Sequence, residues 1–388
     1  MGLLRVTAVR WKMTCALLGL FSGPLDAQQR DPLAPLPEPL RPALISPAPA
    51  LRTPPAVTIH QGMPPMVLQS GQMGFAAYKQ SLAARARREG IADATIASTI
   101  PWLSLNSRVI QLDRGQPGNI GNPNATPPFA PYRRDHVTAD LIRRGRAVYA
   151  ANYARLAGIQ ARTGVEASIP ISIFGHETSY GIVTGGFDLL DALATLAYEG
   201  RRRELFESEF VAALRLLDRG TPRSQLRGSW AGATGYPQFM PSAVLRLAID
   251  GDGDGRANIW SSQADAFASI GNFLKEAGWK AGVHWGIAVR TPYGLNRSAL
   301  RNTDVAPRCP RVFARHSKWL TMREWGALGV TPLGRTLPDD EPASLLEPDG
   351  PNATAYLLTV NYRTILAYNC SNFYALSVGL LADAIAAR

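Results

Sequence analysis

A carboxyl group that serves as a general acid near neutral pH has to sit where water is scarce. Desolvation disfavours its charged form and raises its pKa. One stretch of this sequence offers such a place: Ile169-Pro-Ile-Ser-Ile-Phe-Gly-His-Glu-Thr-Ser-Tyr-Gly181 is apolar along most of its length and carries a single acid, Glu177. Pro170 suits the first turn of a helix, where its missing N–H costs nothing. Gly181 suits a helix stop, because glycine accepts the left-handed conformation found there. Ile169, Ile173 and Glu177 are four apart and share one helical face. The plainer alternative is a solvated Glu at a helix end, and Glu177 by itself does not decide between the two.

Two further stretches could carry chemistry. Asp250-Gly-Asp252-Gly-Asp254-Gly places carboxylates at positions 1, 3 and 5 and glycine at position 6, as a calcium loop begins. Position 12 is Ser261 rather than Glu, and Asp265 on the next helix is the expected replacement ligand. The alternative is an acidic turn without metal. Gly228-Ser-Trp-Ala-Gly-Ala-Thr-Gly-Tyr-Pro-Gln-Phe-Met-Pro241 combines glycines with aromatic and amide side chains, as sugar sites do. It has neither the serine placement of a nucleophile elbow nor the Gly-Lys-Ser/Thr of a phosphate loop. A tight structural loop is its plain alternative. His176-Glu177 lacks the second His of a zinc-protease motif, and His60, His136, His284 and His316 have no ligand-like spacing, which excludes zinc catalysis. Asn361-Tyr-Arg and the run 368–374 form a polar-aromatic cluster, read either as core or as site.

These residues need elements to position them. Apolar spacing predicts helices over 75–88, 91–100, 137–163, 189–198, 201–217, 264–277 and 374–387. Residues 109–113 read as extended, 356–362 as a strand, and 114–131 as a long loop rich in Gly, Asn and Pro. The fold class is mainly α (α+β), with small irregular or β insertions. Eleven prolines between Pro32 and Pro65 make 28–70 a linker that builds no core. Residues 1–27 read as an export signal: Arg5, Arg10 and Lys12 precede a short apolar run, and Ala27 suits a cleavage site. An uncleaved anchor is the alternative. No lipidation box precedes Cys15. Cys309 and Cys370 then remain, able to form one bridge or stay as two thiols.

With 46% hydrophobic and 18% charged residues, the chain is globular, and the formal net charge of +11 suits an anionic partner. Its arginines are scattered without an interleaved aromatic stripe, so no nucleic-acid partner is expected.

In order and spacing, five blocks resemble the membrane-bound lytic murein transglycosylase B family, a lysozyme-like group. They are residues 173–181, 190–197, 228–241, 250–260 and 368–371. The resemblance covers roughly 74–388, in a catalytic region 71–388 divided as 74–135 (a helical N-terminal part), 136–300 (a core with Glu177 and the calcium loop) and 301–388 (a part closing the cleft). It implies cleavage of the β-1,4 bond between N-acetylmuramic acid and N-acetylglucosamine in peptidoglycan. Glu177 would act as acid and then as base, and the muramyl C6 hydroxyl would close a 1,6-anhydro ring. An ordinary glycosidase needs two carboxylates, and only Asp188 or Asp191 could approach Glu177 as a second.

The resemblance further implies that Ser229, Gln238 and Phe239 line the glycan cleft and that Tyr368, Asn369 and Tyr374 form its other wall. Arg201 and Arg202 would meet the peptide stem or the lactyl carboxylate, and Tyr132 matches a cleft tyrosine. Asp250, Asp252, Asp254 and Asp265 would hold a structural calcium. Phe273 departs from the family's usual Tyr, and 114–118 from its usual Gln-Pro-Glu. The implied setting is the periplasm of a Gram-negative bacterium, as a monomer without a lipid anchor or an added peptidoglycan-binding module. The Pro-rich arm would reach cell-wall synthesis or division proteins. The competing functions are a hydrolase using water and a catalytically silent murein-binding adaptor.

Overall fold

Nine of the eleven residues of the helix Ser168–Thr178 are buried, and only His176 and Glu177 keep partial exposure. A helix apolar on every face has to be surrounded. Fully burying Ile169, Ile171, Ile173 and Phe174 stabilises the protein by roughly 1.5–3 kcal/mol each, which offsets the cost of holding a carboxyl at the helix end. The remaining elements are arranged around this requirement.

The computed structural model describes residues 74–115, 128–303, 306 and 308–387. The expected signal and linker, and most of the 114–131 loop, lie outside the described residues. The first helices in chain order are α1 (Phe75–Arg88), α2 (Asp93–Thr99), α3 (Ser107–Arg114), α4 (Phe129–His136), α5 (Ala139–Ala151), α6 (Tyr153–Thr163) and α7 (Ser168–Thr178). Next come β1 (Phe187–Asp188), α8 (Leu189–Glu199), α9 (Arg203–Asp218), β2 (Arg227–Gly228), α10 (Pro241–Leu247) and α11 (Gln263–Glu276). The last part holds β3 (Gly286–Arg290), α12 (Pro310–Phe313), β4 (Trp319–Thr321), α13 (Met322–Ala327), β5 (Thr331–Pro332), β6 (Pro342–Leu346) and β7 (Ala355–Leu358). It closes with α14 (Val360–Tyr368) and α15 (Asn372–Ala386). The chain is mainly α, as its periodicity implies.

Helices α5, α11 and α15 pack around α7 and form the first core, together with α6 and α14. A second core joins α1, α2, α3, α8, α9 and α10. Phe273 and Tyr368 pack against both, and with Phe239 they form an aromatic seam whose ring centroids lie 4.7–5.9 Å apart. A third, smaller core lies under an antiparallel five-stranded sheet of order β4-β6-β7-β3-β5.

Three expectations are corrected. Residues 109–113 are helical, not extended: the Asn106 side chain accepts from the N–H of Arg108 and Val109 and starts α3. The single helix expected over 137–163 breaks at Asn152, whose φ of −116° and ψ of 14° separate α5 from α6. The strand expected over 356–362 stops at Leu358. Thr359 then caps α14 by accepting from the Asn361 N–H. The sheet was under-read because β7 is buried at every position, and a short continuous apolar run has no period to reveal it. Cys309 and Cys370 are disulfide-bonded, with Cα atoms 5.5 Å apart, which settles the pairing left open above.

Gly379 on α15 lets the helix lie against the indole of the buried Trp285; a Cβ there would stand 2.4 Å from the ring. Gly379→Ala should lower stability by about 1–3 kcal/mol, seen as a lower urea midpoint with an unchanged m-value. An unchanged midpoint would mean that Trp285 does not constrain α15.

Candidate active site

Glu177 occupies the last turn of α7, where the helix ends abruptly. The stop comes earlier than Gly181. Ser179 (φ 52°) and Tyr180 (φ 60°) already take left-handed conformations, and Gly181 (φ 87°) completes the run. Two consecutive non-glycine residues in this region are costly and need outside support. Arg144 of α5 supplies it by donating to the Ser179 carbonyl (3.0 Å) and hydroxyl (2.8 Å). The Tyr180 hydroxyl donates to the Leu141 carbonyl at 2.9 Å. The sequence does not mark Arg144 or Tyr180 as part of the site, since only the fold brings α5 alongside this turn.

The opposite wall comes from α15. Ser371 caps that helix by accepting from the Tyr374 N–H, and the Tyr374 hydroxyl donates to Glu177 Oε1 at 2.7 Å. Ser172 Oγ donates to the Val378 carbonyl at 2.6 Å, tying α7 to α15. Burial pushes the Glu177 carboxyl up to about 7, partly opposed by the Tyr374 hydrogen bond. Glu177 keeps an opening to solvent, as an acid that must reach a substrate requires. Tyr132, on α4, stacks on His136 with centroids 3.7 Å apart; burial first, then the Glu177 charge, pushes its hydroxyl up to about 12. Burial pushes His176 down to about 4, so it is neutral beside the acid, with Nε2 buried and without a partner.

Asp188 and Asp191, the acids that could have approached Glu177, are engaged with one another's helix end and with Arg223. Asp188 caps α8 by accepting from the Asp191 N–H, and Arg223 bonds both carboxylates at 3.0 and 3.3 Å. Arg201 and Arg202 have a partner within the protein. Both pair with the buried Asp113 carboxylate, at 3.2 and 3.0 Å, and so fasten α3 to the start of α9. A buried carboxylate needs such partners.

The glycine-rich loop lies across from α7. Gly185 (φ 89°) approaches Gly228 so closely that a Cβ would stand 2.2 Å from the Gly228 carbonyl, so this crossing demands glycine. A cleft of about 390 Å³ opens there, lined among others by Ile182, Val183, Phe187, Ser229 and Trp230. Ser229 lines this pocket, and its hydroxyl accepts from the Ala233 N–H. Gln238 is buried, with its amide donating to the Thr184 and Gly235 carbonyls. Phe239 is buried in the aromatic seam with Phe273 and Tyr368. The Tyr368 hydroxyl donates to the Pro237 carbonyl and joins the wall to the loop, and Asn369 is buried at the end of α14.

The carboxylates of Asp250, Asp252 and Asp254 converge within 4.8 Å of one another. Like charges this close repel unless a cation sits among them, and hard oxygen donors suit calcium. Asp265 is not one of the group. It is buried behind the loop, where its oxygens accept from the Gly251 and Asn258 N–H groups at 2.8 and 2.6 Å. Asp265 thereby braces the loop backbone. That backbone leads on into the site: Tyr236 N–H bonds the Ile259 carbonyl, and Trp260 Nε1 donates to Thr234 Oγ1 at 2.9 Å.

A profile of the transglycosylase SLT domain matches residues 74–383. The chain belongs to this family. It is 34% identical over 258 residues to membrane-bound lytic murein transglycosylase B of Escherichia coli K12, an alignment spanning 66% of either protein. The transglycosylase fold is shared with SltB3 of Pseudomonas aeruginosa, solved in complex with NAG-anhNAM-pentapeptide. That match has a TM-score of 0.71 and 37% identity, over 80% of this chain and 79% of that one. It is shared also with Escherichia coli Slt35 in complex with calcium, at a TM-score of 0.64 and 28% identity, over 80% and 92%. The lysozyme-like class expected from the motifs is therefore the class of the fold.

The raised Glu177 pKa makes stability pH-dependent. The folded state holds this proton more tightly than the unfolded chain, so its stability falls as pH rises from about 4.5 to about 7. Glu177→Gln should therefore stabilise the protein at pH 8 by on the order of 1–3 kcal/mol and leave it nearly unchanged at pH 4. Melting curves at the two pH values check this. An equal effect at both would show that Glu177 titrates normally.

Proposed function

We infer that this chain is a peptidoglycan lytic transglycosylase, cleaving between N-acetylmuramic acid and N-acetylglucosamine without water. The observation that carries the reading is Glu177 at the end of α7, bonded by the Tyr374 hydroxyl and pushed by burial up to about 7, with Asp188 and Asp191 held on Arg223. A protonated Glu177 donates to the glycosidic oxygen, which leaves as the O4 hydroxyl of N-acetylglucosamine. The carboxylate left behind takes the proton of the muramyl C6 hydroxyl as that oxygen bonds C1. The 1,6-anhydro ring closes and the acid is regenerated. A nucleophile carried by the substrate removes the need for the second carboxylate of a hydrolase. The partly desolvated position of Glu177, near its half-titration at neutral pH, suits a group that acts in both directions.

Asp250, Asp252 and Asp254 are the residues that would hold a calcium ion, with a structural role. Their loop backs the glycine-rich loop through Ile259 and Trp260, so a bound ion would stiffen the cleft. Export to the periplasm of a Gram-negative cell follows from the substrate and from the N-terminal pattern of 1–27, and the basic charge suits an anionic wall polymer.

Glu177→Gln should lower turnover of isolated sacculi by about 10²–10⁴-fold while sacculus binding persists. Mass spectrometry of the wild-type products should give 1,6-anhydromuropeptides. Reducing-end products would instead identify a hydrolase, and binding without any release would identify an adaptor. Calorimetric titration of chelator-treated protein with calcium should give heat, and calcium at 100 times Kd should stabilise by about 2.7 kcal/mol. A flat titration with an unshifted melting curve would remove the ion from the account.

A further inference from the structure

Tyr374 is the third residue of α15, so its reach to Glu177 depends on where that helix begins. Helix α14 ends at Tyr368, and the chain turns by 115° within three residues before α15 starts. The same short bend carries Tyr368 and Asn369. Its internal support is slight: Ser371 N–H bonds the Asn369 carbonyl, and Ser371 Oγ accepts from Tyr374 N–H.

Most of its outside support comes from one segment, residues 309–316. Cys309 is bonded to Cys370 at the centre of the bend. Asn372 Nδ2 donates to the Val312 carbonyl at 3.2 Å, and His316 Nε2 meets Asn372 Oδ1 at 2.8 Å. From α14, the Tyr362 hydroxyl donates to the Asn372 carbonyl at 3.0 Å. Cys309 itself has a φ of 51°, a left-handed conformation that a non-glycine residue keeps only where its surroundings hold it. The clasp is thus built at some conformational cost, directly behind the residue that bonds the catalytic acid.

We propose that the Cys309–Cys370 disulfide is a positioning element for the reaction: it fixes the bend from which Tyr374 reaches Glu177, and breaking it slackens that hydrogen bond without dismantling the fold. The hydrogen bonds of Asn372 and the core around α7 and α15 remain when the bridge is gone, so the helices stay packed. Catalysis is more demanding than packing, since small misplacements of a catalytic pair cost rate steeply. The proposal rests on the transglycosylase reading of Glu177.

The Tyr374 hydroxyl acts on Glu177 directly, the Glu177 charge in turn pushes up Tyr374 and Tyr368 beside the bend and Tyr132 on α4, and His176 precedes Glu177 on α7. Of these, Tyr374 is the one hydrogen-bonded to its carboxylate. The Cys309→Ser/Cys370→Ser double variant should keep its circular-dichroism spectrum. Its kcat on sacculi should fall about tenfold with KM nearly unchanged, and the high-pH limb of kcat should move to higher pH. In a Tyr374→Phe background the same cysteine changes should move the limb no further. The proposal is overturned by wild-type kcat and limb in the folded double variant, or by a limb shift that persists without the Tyr374 hydroxyl. If the double variant does not fold, the native wild type is reduced with a water-soluble phosphine and put through the same assays; loss of fold there too marks a purely structural bond and also overturns it. Carbon-13 NMR of labelled Glu side chains follows the Glu177 titration without using turnover. A wild type that releases no muropeptides would therefore defeat the functional reading while the clasp is still tested.

Discussion

A carboxyl group placed at the end of a helix that has no polar face is the constraint on which this structure depends. The carboxyl resists losing its proton because α7 and its neighbours exclude water from most of its surroundings. That exclusion requires α5, α11 and α15 to be packed around α7 already. It also requires the helix to stop at once, before another turn covers the acid. The stop costs two non-glycine residues in left-handed conformations, and Arg144 and Tyr180 hold them. The proton affinity of one oxygen is therefore a property of several elements.

The cleft is kept open by a different set of contacts. The first and second cores meet along the aromatic seam of Phe239, Phe273 and Tyr368. Phe273, where the family usually carries a hydroxyl, fits that seam without an unpaired polar atom. Above it the glycine-rich loop is held at both ends: Gln238 and the Gly185–Gly228 crossing tie it to the chain after α7, and Thr234 and Tyr236 tie it to the acidic loop. These ties matter because a loop with this many glycines has little stiffness of its own.

Belonging to the transglycosylase SLT domain family fixes what kind of fold the chain has. It does not by itself assign contacts. Arg201 and Arg202 stand at the expected positions yet neutralise Asp113 within the protein. Asp265 stands at the expected position yet braces the acidic loop from behind. In both cases a buried carboxylate takes the nearest donors, since leaving it unpaired would be costly.

The sequence by itself determined what depends on near neighbours. The helical period, Pro170 in a first turn and the apolar faces located α7, α8, α9, α11 and α15 to within a few residues. The Asp-Gly repeat located the acidic turn, and family resemblance attached a role to Glu177 and put Tyr374 on the opposite wall. Tertiary structure alone decided the rest. The Tyr374–Glu177 bond joins residues 197 apart, the disulfide chooses one of two states left open by composition, and the pairing of Asp113 rests on α3 lying against α9. The five-stranded sheet is hidden because its strands are two to five residues long, too short to show a period, and the buried β7 is apolar throughout. Local chemistry writes turns, caps and faces into a few residues. Which side chains meet across the core, and hence how strongly Glu177 holds its proton, is settled only when the helices pack.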